Sequence, residues 1–266
     1  MSSIARINDL EIRFITRPAE LAAAQALRYR VFYEELGAIP DAETRKLRLD
    51  IDAYDEHADH LIVVDLAKSK PGRPYIVGCY RMLRESVARG IGGFYTAHEF
   101  DLSGVDRARG EILELGRSCV DPDYRTGLVM QLLWKGIALF QDAQHFGVMI
   151  GCASLPGTDV ASVAPQIRYL HERHLAPLGL RPCAHSNRRI AHEPFAATGY
   201  DPAAAFRNLP ALLRGYLRLG AMIGEGAVLD EQFNTIDVCI VLPTELIEAR
   251  YMRHYRQERP SDAVTV

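Results

Sequence analysis

Past its opening Glu111, the largely apolar stretch EILELGRSCV is interrupted by two charged side chains, Glu114 and Arg117. A carboxylate fixed on a core strand can take a proton from a reacting group, directly or through one water. Strict strand alternation puts Glu114, Gly116 and Ser118 on one face and Leu115 and Arg117 on the other. Glu114 and Arg117 therefore act at one site only if a bulge shifts the register between them. The plainer reading is an ion pair at a sheet edge, since structural pairs also carry perturbed groups.

Downstream, DPDYRTGLVMQLL joins that strand to an apolar run, with Arg125, Thr126 and Gly127 where a helix opens. Amides at a helix N-terminus favour anions such as phosphate. The plainer reading is an ordinary strand–helix turn. Cys152 and Ser154 lie in GCAS, which has no G-x-S-x-G elbow and reads as core strand lining a substrate. His57 and His60, and again His171 and His174, repeat at i, i+3. Neither pair has a third ligand at recognisable spacing, so no metal site is expected.

Positioning elements follow from periodicity. LEIRFI (10–15) alternates as a first strand, and RPAELAAAQALRYRVFYEELG reads as a helix stopped by Gly37. DHLIVVDL (59–66) and PYIVGCYRML (74–83) form a hairpin across KSKPGR. The EILELGRSCV strand, the long helix LVMQLLWKGIALFQDAQHFG, the buried strand VMIGCAS and the helix DVASVAPQIRYLHERHL come next. From about residue 178 the pattern weakens into a C-terminal extension. There LPALLRGYLRLGAMIG is amphipathic and suits a core helix or an acyl-tunnel wall. FNTIDVCIVLP is a late strand, TELIEARYMRHYRQ a closing helix, and residues 259–266 a frayed tail. The sum is one α/β (α+β) domain over residues 1–258, built on a central, largely antiparallel sheet.

The 266 residues carry 31 basic and 34 acidic side chains, a net charge of −3, which argues against a nucleic-acid partner. Five cysteines, odd in number and without a C-x-x-C pair, suit a reducing compartment. MSSIARINDLEIRF lacks the apolar centre of a signal peptide, and no run approaches a membrane span. A cytoplasmic protein is expected, with at most peripheral contact at the inner face of the membrane.

A series of blocks carries a family resemblance: RYRVFYEELG, DIDAYDEHADHLIV, YIVGCYRML, GGFYTAHEFDL, ELGRSCVDPDYR, QLLWKGI, GCAS, LPALLRGYLRLGA and FNTIDVCIVL. In this order, from about Leu27 to Tyr251, they resemble the bacterial L-ornithine N-alpha-acyltransferases of ornithine-lipid synthesis. A more distant likeness to acyl-homoserine-lactone synthases runs through Arg28 and Phe32, Asp52 and Asp55, Arg81, and Glu114 with Arg117. The chain departs at Ala38, where those synthases carry a Trp, which favours plain amide formation over lactone formation.

The resemblance implies a GNAT-like acyltransferase fold and transfer of a 3-hydroxyacyl group from acyl carrier protein to the α-amine of L-ornithine. It makes Glu114 the base and Arg117 its catalytic companion. Substrate-binding positions become Arg28, Phe32, Asp52, Asp55, Arg81, Cys152 and Ser154, with Arg81 or Arg117 on the acceptor carboxylate and Asp52 or Asp55 facing its distal ammonium. Arg125, Thr126 and Gly127 become the phosphopantetheine loop. Val129 stands near where GNAT loops have a second glycine, and a reduced loop suits the single phosphate of a carrier-bound thioester. No bound cofactor is implied. An acidic carrier needs a basic dock, for which Arg125, Arg168, Arg173, Arg188 and Arg189 are candidates. The alternatives are a synthase of another N-acyl amino acid or homoserine-lactone-type signal, and a carrier-binding module without chemistry.

Overall fold

Alternating apolar residues lay down the first half of a sheet. Ala5–Ile7 (β1), Leu10–Phe14 (β2), Asp59–Lys70 (β3) and Arg73–Arg84 (β4) pair antiparallel in chain order. Within β3, Leu61 and Val63 join one apolar cluster while Ile62 and Val64 join another, so both faces of the sheet are covered. The connection expected over KSKPGR shrinks to Pro71 and Gly72, because both strands continue past their apolar runs and Gly72 supplies the positive φ of 71°. The computed structural model describes residues 3–105, 110–191 and 199–246. Most of the expected closing helix, and the tail 259–266, lie outside the described residues.

The remaining strands are Phe100–Asp101 (β5), Ile112–Val120 (β6), Val148–Pro156 (β7), Cys183–Ala184 (β8), Met222–Ile223 (β9), Val228–Asp230 (β10) and Thr235–Pro243 (β11). The main sheet runs β1-β2-β3-β4-β6-β7-β11-β10, β9 also pairs with β11, and β5 and β8 form a separate ribbon. Among the described strand pairs, β6 with β7 is the parallel one. The chain beyond residue 178 is thus no separate layer: it supplies β9, β10 and β11 to the same sheet, and every residue of β11 is buried.

Helices cover the two faces. Pro18–Tyr29 (α1) starts with proline in its first turn and runs on as a π-helical segment, Arg30–Glu35, before Gly37 turns the chain at φ 77°. Ala42–Leu47 (α2) is capped by Asp41, whose carboxylate accepts the Thr44 amide at 2.7 Å. Glu85–Ala88 (α3), Leu128–Gln144 (α4), Val160–His174 (α5), Pro202–Arg207 (α6) and Ala211–Arg218 (α7) follow. LPALLRGYLRLGAMIG does not stay helical throughout: α7 ends at Arg218, and Met222–Ile223 is drawn into the sheet beside β11. Helix α4 lies close on the sheet at Gly136, where an added Cβ would come within 2.6 Å of Leu61.

One irregularity in this sheet creates the site. Strands β6 and β7 pair only from Ile112–Glu114 against Val148–Ile150. Gly151 marks the parting, because a Cβ there would stand 2.3 Å from the Leu115 carbonyl oxygen. Past that point the two strands diverge, and a cavity of about 290 Å³ opens between them.

Candidate active site

Glu114 is the last β6 residue paired with β7, and it lines the cavity although it is only 4% exposed. Its carboxylate accepts the backbone N–H groups of Tyr95 at 3.1 Å and Thr96 at 2.6 Å, at the start of a 3₁₀ turn. Two fixed donors set the carboxylate's direction and leave further lone pairs for a reacting proton.

The bulge required to bring Arg117 to the same side is present. Arg81 lies opposite Gly116 and Cys79 opposite Cys119, so Arg117 and Ser118 together face Tyr80 alone. Arg117 carries the resulting distortion at φ 49°. Its guanidinium sits 4.8 Å from the Tyr95 ring and 4.7 Å from that of Phe233, at the cavity wall.

Three arginines and three aspartates alternate behind this wall. Arg28, fully buried, donates to Asp50 at 2.7 Å and to Asp55 at 2.6 Å. Arg81 donates to Asp52 and, at 3.1 Å, to Asp55, and Arg117 donates to Asp52 at 3.0 Å. Burial alone would raise the carboxyls of Asp52 and Asp55, yet the facing guanidiniums hold both below the ordinary carboxylate range. Burial likewise opposes the charge on Arg28 and Arg117, and the aspartates outweigh it. Each buried charge is met by an opposite one, the condition under which such a cluster is tolerated.

A second group of acids is less fully matched: Glu99 has Arg188 at 3.9 Å, and among the described residues Asp230 and Asp237 have no ion pair. Asp237 on β11 lies opposite Ser154 on β7, and Cys239 opposite Cys152. Glu99, Cys152 and Asp237 bring ligand-type atoms within 4.8 Å of one another, which makes them a candidate cation site. The Cys152 thiol donates to Glu99 at 3.3 Å. Burial and the nearby carboxylates raise that thiol further, so it stays a donor. Burial, then the field of Asp237, raises Glu99. Burial also raises Asp237, with Asp230 adding to it while Thr235, Ser154 and Arg117 offset part of the rise.

Residues 27–135 match the family model described as an acetyltransferase (GNAT) domain. The L-ornithine N(alpha)-acyltransferase of Rhodobacter capsulatus is 40% identical over 245 residues, 92% of this chain and 94% of that protein. The enzyme of the same name from Agrobacterium fabrum is 41% identical over 255 residues, 95% of this chain and 87% of that one. The chain belongs to the L-ornithine N(alpha)-acyltransferase family. It is an acyltransferase on a GNAT fold, as its resemblance implied. A solved CoA-dependent acyl-homoserine lactone synthase with MTA shares the fold, with a TM-score of 0.51 at 13% identity over 92% of this chain and 87% of that one.

In this family member, Phe32, Arg81, Glu114, Arg117, Cys152 and Ser154 all line the cavity. Arg28 and Asp55 lie behind it, engaged in the ion network, and Asp52 bridges Arg81 and Arg117. The loop residues Arg125, Thr126 and Gly127 are exposed and are not cavity walls. Arg125 forks onto Glu35 and donates to the Val120 carbonyl at 3.1 Å, while Gly127 caps α4 with φ 95°. Among the other basic candidates, Arg168 pairs with Glu172 and Arg189 with Glu225, and Arg188 donates to the His98 carbonyl. His60 bonds the Asp55 carbonyl oxygen at 2.8 Å and thereby braces the network. The amphipathic α7 turns Leu213, Tyr216 and Leu217 inward. Tyr216 reaches the cavity, its hydroxyl 2.7 Å from that of Tyr80. No helix among the described residues is long and apolar enough to cross a membrane.

Sequence reasoning missed Asp50, Glu99, Asp230 and Asp237. Asp50 had a signal, since it precedes Asp52 by two in an alternating segment. So did Asp237, a lone carboxylate inside FNTIDVCIVL, where burial of an acid calls for a reason.

Proposed function

We propose that this enzyme moves a (3-hydroxy)fatty acyl group from acyl carrier protein to the α-amine of L-ornithine, giving a lyso-ornithine lipid as the first step of ornithine-lipid synthesis. The observation that carries the reading is identity of 40–41% across more than nine-tenths of the chain with enzymes named for that acceptor. The cavity chemistry supports it. Glu114 takes a proton from the α-ammonium and releases it to solvent, and the neutral nitrogen attacks the thioester carbonyl carbon. The new C–N bond forms as the C–S bond breaks, and the proton shed by nitrogen passes through Glu114 to the departing thiolate.

The donor thioester enters with its phosphate near the Arg125–Gly127 turn, whose helix amides favour an anion. Its acyl chain lies along Leu212, Tyr216 and Leu115, the apolar side of the cavity. The carrier docks in the cytoplasm on arginines that include Arg173 and Arg188, and the lipid product leaves toward the membrane. Initial rates with matched 3-hydroxyacyl carrier and 3-hydroxyacyl-CoA, read across a salt series, test the donor. The expected result is a preference for the carrier that weakens as salt screens its acidic surface. Equal rates at physiological ionic strength would remove the carrier from the reading.

A further inference from the structure

The two charged walls of the cavity differ in one respect. Around Arg81 and Arg117, Asp50, Asp52 and Asp55 are each met by a guanidinium. On β10 and β11, Asp230 and Asp237 also line the cavity, with Glu99 behind Cys152, and among the described residues neither aspartate forms an ion pair. Asp237 is 4% exposed, yet its Oδ1 is buried with no hydrogen-bond partner. Two residues earlier on the same face of β11, the Thr235 Oγ1 is buried and unpartnered as well, and Thr235 lines the same cavity. Arg188 reaches only Glu99, at 3.9 Å. Unmet buried acceptors are costly, and a buried carboxylate without an ion-pair partner, such as Asp237, is costlier still.

We propose that Asp237, with Thr235, Asp230 and Glu99, forms the subsite that receives the distal ammonium of the acceptor and so selects a cationic amino acid. This rests on the acceptor reading given above and assigns its specificity to residues outside the arginine-paired network. An ammonium offers three donors and one positive charge. The open oxygens of Asp237 and Thr235 take two of those donors, and the acids supply the countercharge. Asp52 and Asp55 are less suited to the task, because their oxygens already accept from Arg28, Arg81 and Arg117. The acceptor then spans the cavity, its carboxylate toward Arg117 and its far amine toward Asp237, with the α-amine between them beside Glu114. A far amine held among carboxylates stays protonated and unreactive, which leaves the α-amine as the nucleophile.

The test compares L-ornithine with L-norvaline, which lacks the distal ammonium, for the wild type, Asp237→Asn and Glu99→Gln. All three receive the same acyl carrier thioester. The wild type favours ornithine. In Asp237→Asn the ornithine-to-norvaline ratio of kcat/KM falls at least about tenfold, through KM for ornithine, while kcat with norvaline holds. Glu99→Gln shifts the ratio in the same direction and serves as the reading if Asp237→Asn does not fold. Folded variants that keep the wild-type ratio overturn this subsite and leave ornithine acylation standing. A wild type that acylates norvaline but not ornithine overturns both. An ornithine preference that a chelator abolishes and added zinc restores overturns the ammonium assignment, since Glu99, Cys152 and Asp237 would then be holding a metal.

Discussion

At the scale of single residues, the acids of the cavity divide into those whose oxygens are satisfied and those, such as Asp237, with an oxygen left open. Glu114 is held by two amides and faces the reacting amine, so Glu114→Gln keeps shape but loses basicity. Turnover should fall roughly 10²-fold or more with the fold intact, read by steady-state kinetics beside a circular dichroism spectrum. Asp237 has a second, opposite signature in stability. Burial raises it to about 6 from 3.8, and burial followed by the field of Asp237 raises Glu99 to about 7 from 4.5. Facing these two are Cys152, Thr235, Ser154 and Asp230, with Arg117 and Arg188 as the nearest cations. Because the folded values exceed the unfolded ones, the stability these groups contribute is complete below the unfolded values. It is lost as pH rises through about 6 to 7. Asp237→Asn removes that loss, so without ligand the variant should gain more in Tm at pH 8 than at pH 5. An equal gain at both pH values would mean that Asp237 is not carrying an uncompensated charge.

At the scale of elements, the site is a consequence of how β6 parts from β7. The apolar runs and turn residues made the strands readable one by one, and the alternation in EILELGRSCV showed that Glu114 and Arg117 need a bulge to meet. The bulge at Arg117 and Ser118 meets that requirement. What the chain did not disclose is register between distant strands. Asp237 becomes a cavity residue only because β11 lies beside β7 with Ser154 opposite it, and no local pattern announces that pairing. The weak segment after residue 178 was hard to read for a related reason. Its strands β8 and β9 are two residues long and are held by tertiary pairing rather than by periodicity. The parting of the strands makes a paired prediction about glycines. Gly151→Ala drives a methyl into the Leu115 carbonyl and should cost about 1–3 kcal/mol in chemical denaturation. Gly116 has nothing within 4 Å of a Cβ position and lines the cavity, so Gly116→Val should fold normally while raising KM for a substrate.

At the scale of the whole molecule, the Arg28–Asp50–Asp55 cluster ties α1, the segment before β3 and, through Arg81, strand β4 into one frame beneath the cavity. Arg28→Met would leave Asp50 with Arg117 and Asp55 with Arg81 but remove the buried guanidinium they share, and should lower stability by about 3 kcal/mol, measured by denaturant unfolding. Above that frame the cavity lining holds both arginines and the unpaired Asp230 and Asp237, a charge pattern suited to a molecule bearing a carboxylate and a distant ammonium. The decisive measurement is tandem mass spectrometry of the product formed from 3-hydroxyacyl carrier protein and an equimolar amino-acid mixture. The account predicts a single dominant N-acyl ornithine whose fragments place the acyl group on the α-nitrogen. A product acylated on the distal nitrogen, or one built on a neutral amino acid in preference to ornithine, would contradict it.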